Sequence, residues 1–176
     1  MAVSTDIVAM YRGPAPVWRR LLSRAQSEPR ALAYLMGACV IMFVAQWPAI
    51  ARRVWETDPA RFNTEGGAFQ QAVQPEIGGA LLGAVIFLPL IFYVLALMLS
   101  LLSRVAGKRV AAFDGRLILF WSLLAATPLA LLNGLVAGFV GPGIGLTIVG
   151  ALWFGVVLWF VGTGVREAHR EAGVTA

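Results

Sequence analysis

Residues 77–102 read IGGALLGAVIFLPLIFYVLALMLSLL, twenty-six positions without an Asp, Glu, Lys, Arg or His. Roughly 20 apolar residues in an α-helix cover about 30 Å of hydrocarbon, so this stretch is long enough to cross a bilayer. Lipid offers the backbone no hydrogen bonds, and a single segment satisfies its own only as a helix. Three further stretches have the same character: Ala31–Ile50, Leu117–Phe139 and Gly143–Val165, none with an ionisable side chain. The expectation is an all-α polytopic membrane bundle with four transmembrane helices, 31–50, 77–102, 117–139 and 143–165.

Composition supports this. The chain of 176 residues is 59% apolar and 13% charged, with a mean hydropathy of +0.78. A water-soluble domain carries about 25% charged residues. Residues 1–30 form a polar cytoplasmic lead-in, 31–165 the bundle and 166–176 a cytoplasmic tail. The lead-in holds Asp6, Arg12, Arg19, Arg20, Arg24, Glu28 and Arg30 before any apolar run, which does not fit a cleaved secretory leader. The single cysteine, Cys39, reads as a small buried apolar residue.

The basic residues alternate in density along the chain. Eleven of the 14 Lys and Arg fall before the first span, between the second and third, and after the fourth; the loop 51–76 holds the other three. The positive-inside rule places the richer side in the cytoplasm, and both termini with it. The net charge of +5 is spent on flanking spans, with no basic stripe on a soluble module, so no nucleic acid is expected.

Within the lead-in, Ser4-Thr5-Asp6 is an N-cap cluster, Gly13-Pro14 a stop, and Pro16 a start for a second short helix. On that helix Val17, Trp18, Leu21, Leu22 and Ala25 share one face, with Arg19, Arg20 and Arg24 largely elsewhere. This describes an amphipathic helix lying in the headgroup layer against anionic lipids. In the other reading the arginines only set orientation. Trp18, Arg19, Arg20, Arg24 and Arg116 are the candidate lipid contacts. The loop 51–76 is expected to prolong the first helix and turn at Asn63–Gly67, and Asp114-Gly115-Arg116 reads as a turn.

Inside the spans the polar residues are few. Gln46 and Asn133 are the costliest to bury, and interhelical hydrogen bonding competes with a substrate pathway as their role. Pro89 is placed to kink the second span. Pro128 and Asn133-Gly134 are placed to break the third. Gly134 and Gly138, four apart, fit the close-packing pattern, as do two other glycine pairs. Trp47, Trp55, Trp121, Trp153 and Trp159 lie toward span ends, as interfacial anchors do. Catalytic constellations, phosphate loops and His/Cys clusters are absent, so neither an enzyme nor a bound cofactor or metal is expected.

The amphipathic lead-in, Arg30 before the first span, the basic loop feeding Asp114-Gly115-Arg116-Leu117-Ile118-Leu119-Phe120-Trp121, Pro128 within the third span, and Trp159 with Arg166 at the end together resemble the bacterial branch of the YIP1 family. The resemblance covers nearly the whole chain. It implies a multi-pass inner-membrane protein that binds protein partners or lipids and organises the membrane. Two other functions stay open from the residues: an accessory subunit of a larger bioenergetic or transport complex, and a small permease or channel framed by Pro89, Pro128, Asn133 and Gly141-Pro142-Gly143. Its partners are then anionic lipids and a membrane protein or a second copy.

Overall fold

The computed structural model describes residues 3–57, 68–107 and 110–174, and these are helical apart from short connections. The order is α1 Val3–Arg12, α2 Pro14–Leu22, α3 Glu28–Thr57, α4 Ala68–Leu82, α5 Leu88–Val105, α6 Ala112–Ala125, α7 Thr127–Phe139 and α8 Ile144–Val174. A π-helical turn, Gly83–Phe87, joins α4 to α5. The expected turn at Asn63–Gly67, and Lys108 and Arg109 of the basic loop, lie outside the described residues.

Three helices are long and apolar enough to cross a membrane: α3, the continuous helix from Val73 to Val105, and α8; α6 and α7 make a fourth if the bent pair counts as one. Only 11% of the most apolar window of Val73–Val105 is buried inside the protein. Phe87, Leu90, Ile91, Val94, Leu97 and Leu102 are all exposed on it. Apolar patches on water-soluble monomers are rarely larger than a few hundred Å². A flank this continuous is compatible with a helix embedded in a membrane.

Proline shapes two of these helices. Pro89 has no N–H to return to Val85, and the chain meets it with a π turn in which the Leu88 N–H bonds the Gly83 carbonyl five residues back. Pro128 has a larger effect, because α6 and α7 meet at 47°. Pro128 cannot serve the Leu124 carbonyl, and the Leu129 N–H bonds Ala126 (3.1 Å) instead of Ala125. Two carbonyls are thereby orphaned. The Thr127 hydroxyl donates to Leu124 at 2.8 Å. The Tyr11 hydroxyl, from α1, donates to Ala125 at 3.0 Å. The break therefore sits at Ala126, before Pro128 and about two turns ahead of Asn133-Gly134.

Despite the bend, α6 and α7 together run the length of α3. At one end Arg116 of α6 pairs with Glu28 of α3. At the other, Arg52 of α3 donates to the carbonyls of Gly138 and Phe139, each at 3.3 Å. Between them α7 lies directly on the backbone of α3. A Cβ on Gly134 would fall 1.8 Å from the Ala45 carbonyl oxygen, and one on Gly138 2.3 Å from Pro48. These two glycines are where α7 meets α3.

α6 is the central helix. Every residue from Leu117 to Thr127 is buried, as befits a helix apolar all round. α3, α5 and α8 pack around it. Asp114-Gly115-Arg116 is no turn: it lies within α6. Gly115 stays bare because α5 passes close by, with Ser100 Oγ only 2.2 Å from where its Cβ would be. Trp121 is not an interfacial anchor either. It is 1% exposed and stacks edge-on against Tyr34 at 4.8 Å.

The N-terminal arm folds back on itself. Asp6 near the start of α1 pairs with Arg20 near the end of α2, so the two helices form an antiparallel hairpin turning at Gly13. The amphipathic face of α2 exists, but protein covers it. Trp18 is fully buried, and with Val17 and Leu21 it belongs to the main core. A Cβ on Gly164 of α8 would sit 3.0 Å from the Trp18 ring and 2.9 Å from Ile118 of α6. Trp18 is therefore not a lipid contact, because α8 leaves a bare backbone there to receive its ring. Tyr11 closes the hairpin's tip with a T-shaped contact on Phe160 at 5.3 Å.

Candidate functional site

Two features have the geometry to bind something. The first is a groove of about 650 Å³ between α1 and α2, on the arm's outer side. Its floor is apolar, made by Val8, Ala9, Pro16 and Val17, and Arg12 and Arg20 flank it. Arg12 and Val8 are exposed. The groove is thus an apolar trough with guanidinium groups at its edge, one of them, Arg20, paired with Asp6.

The groove belongs to a charged end of the bundle. Arg19 lies 3.9 Å from Glu167, which also meets Arg170 at 3.4 Å. Arg24, Arg30, Arg104 and Arg166 are exposed. Arg116 is held by Glu28. These pairs are partly solvated and each contributes about 1 kcal/mol or less. Their result is placement: they bring the starts of α3 and α6 and the end of α8 together with α2. The carboxyls here are crowded. Burial raises the Asp114 pKa, opposed by a hydrogen bond from the Ala111 backbone. Burial, then the charges of Asp114 and Glu167, raise that of Glu171. Burial likewise pushes the Tyr11 phenol up, keeping it a donor.

The second feature is a cavity of about 270 Å³ among α3, α5, α7 and α8, lined by Met42, Gln46, Leu88, Asn133, Gly134 and Trp153 with several alanines. Asn133 Oδ1 and Trp153 Nε1 are buried there without a hydrogen-bond partner. One is an acceptor and the other a donor. Leu88 is the residue that closes the π turn, and Gly134 the point of contact with α3.

The structure thus brings Gln46, Asn133 and Gly134 into one cavity, sets Pro89 beside its wall, and leaves Pro128 at the helix break and Gly138 on Pro48. Trp153 and Tyr11 are missed by sequence reasoning. Trp153 reads there as an end anchor, and only its place in the wall of the cavity beside Asn133 and Gln46 reveals a different one. No group of three or more His, Cys, Asp or Glu suited to a metal ion occurs among the described residues. No family model, no curated protein and no solved structure matches the chain.

Proposed function

We propose that this chain is a non-enzymatic integral membrane protein of the bacterial inner membrane that binds anionic lipids and membrane-protein partners to organise the bilayer. The resemblance to the YIP1 family implies the same role. In this reading α6 and α7 are one bent crossing, the crossings number four, and the charged end with both termini faces the cytoplasm. The carrying observation is the groove between α1 and α2, apolar along its floor with the exposed Arg12 at its edge. A basic side chain near an anionic leaflet gains about 1 kcal/mol, close to fivefold in affinity.

Titrating the full chain in mild detergent with phosphatidylglycerol and phosphatidylcholine tests it, with bound lipid counted by native mass spectrometry. The anionic lipid is expected to bind at least about fivefold tighter. Arg12→Gln is expected to remove most of that preference. Equal binding of both lipids by the parent chain overturns the proposal.

A second reading rests on the exposed apolar flank of α5: an accessory subunit seated by that flank against a larger membrane complex. Co-migration with such a complex on a native gel distinguishes it.

A further inference from the structure

We infer that the cavity among α3, α5, α7 and α8 holds one acyl chain of a phospholipid whose phosphate rests on Arg53, at the end of the bundle opposite the arm. The starting point is α3, which presents two neighbouring stripes. Positions three, four and seven apart on an α-helix share a face. Ala45, Pro48 and Arg52 form one stripe, and α7 covers it. Gly134 lies on the Ala45 carbonyl, Gly138 on Pro48, and the Arg52 guanidinium on the carbonyls of Gly138 and Phe139. Met42, Gln46 and Ala49 form the other stripe, and all three line the cavity. The next position along it is Arg53, which is exposed. Two adjacent arginines thus have different places: Arg52 caps α7, and Arg53 stands one turn beyond the cavity on the cavity's own wall.

The walls decide what enters. Met42, Gln46, Ala49 and Leu88 are only half-buried, so the cavity opens at the side of the bundle. Its part of α3 falls within the apolar run Ala31–Ile50, a depth at which acyl chains are the surrounding molecules in a bilayer. No residue that ionises at neutral pH lines it, and a charge without a partner there is costly, so the portion that enters is uncharged. The hollow has a cause in the sequence. Gly134 and Gly138 hold α7 against α3, and Ala49, Ala130 and Ala137 are too short to fill the space beside that contact. An unfilled void forfeits the van der Waals contacts of its lining. An apolar cavity of about 150 Å³ takes up a benzene ring, and this one, of about 270 Å³, has room for a run of methylenes. From Arg53 to Met42 the stripe runs about 16 Å along α3, a span that a long acyl chain covers. Lipid tails are as apolar as the wall, so the chain alone gains only packing. Selectivity comes from the guanidinium, which makes charge-assisted hydrogen bonds to phosphate oxygens and favours an anionic head about fivefold.

The test uses the full chain in dodecyl maltoside with phosphatidylglycerol carrying a photoactivatable diazirine midway along one acyl chain. Labelling is expected on Met42, Gln46 and Ala49 of α3 and on Ala130 and Ala137 of α7. Unlabelled phosphatidylglycerol competes, and dioleoylglycerol, which lacks the phosphate, needs about fivefold more to do so, a comparison that requires no variant. Arg53→Gln changes an exposed side chain and is expected to lower labelling about fivefold, with Arg53→Lys restoring most of it. Ala49→Leu, checked for helicity and monodispersity, fills the cavity and is expected to abolish the labelling. Labelling spread along the exposed flank of α5, equal competition by dioleoylglycerol, stronger competition by palmitate than by phosphatidylglycerol, or labelling unchanged in either Arg53→Gln or Ala49→Leu overturns the inference. The site shares with the proposed function only the placing of the chain in a bilayer. Failure of the groove between α1 and α2 to bind lipid leaves this labelling pattern untouched, and the reverse holds too.

Discussion

The Tyr11 hydroxyl donates to the Ala125 carbonyl across 114 positions of sequence. The acceptor is a backbone group that Pro128 and the tightened turn behind it have left without its helical partner. An arm outside the apolar stretches thus completes the hydrogen bonding of the central bent helix.

Tyr11→Phe keeps the ring on Phe160 and removes only the donor. The expected loss is about 1 kcal/mol, since an unpaired carbonyl is then left at the break. Tyr11→Ala removes the edge-to-face contact as well and is expected to cost about 1 kcal/mol more. Thermal unfolding in detergent measures both, and limited proteolysis of the arm is expected to quicken in the same order.

Gly134→Ala is expected to destabilise by about 2 kcal/mol or more. Its Cβ meets the Ala45 carbonyl, which is backbone and cannot swing away. Gly79 has nothing within 4 Å of the same position. Gly79→Ala is therefore the control, expected to be neutral or slightly stabilising. The same melting experiment compares them.

Gly141→Ala tests the far end. Gly141 has a φ of +89°, and the Arg52 guanidinium carbon lies 2.4 Å from where a Cβ would be. The left-handed backbone and the displaced arginine together are expected to cost about 1–3 kcal/mol. Arg52→Gln leaves the two terminal carbonyls of α7 without their cation and is expected to cost about 1 kcal/mol or less. If Arg52 is the reason for the penalty beyond backbone strain, the double variant falls short of the sum.

Asp114 and Glu171 give a pH dependence of definite sign. Both carboxyls titrate higher in the fold than in the unfolded chain. The stability tied to their protonated forms is full below the ordinary carboxylate range and is lost as pH rises through the raised values. Melting temperature is expected to fall over that rise, and Asp114→Asn is expected to flatten the fall. A melting temperature that climbs across the same interval contradicts the crowding of these groups.

The apolar stretches were legible as helices because their length and lack of charge admit little else. The faces of those helices were not. Trp18 and Trp121 have the sequence surroundings of interfacial anchors, yet both are buried. The reason is elsewhere in the chain: Gly164 leaves a cradle for one and Tyr34 a ring for the other. Pro128 announced a break, but its position was set by which donors could reach Leu124 and Ala125. Gln46 and Asn133 were readable as costly polar residues. That Trp153 shares their cavity depends on how α8 lies against α7, which no local pattern encodes.

The arm's seat also imposes an order on biogenesis. Tyr11 and Trp18 emerge from the ribosome well before Ile118, Ala125, Phe160 and Gly164, against which they lodge. The hairpin must wait, unsheltered, until α8 has inserted, and only then can it latch. Its docking therefore comes after α8 has taken its place beside α6.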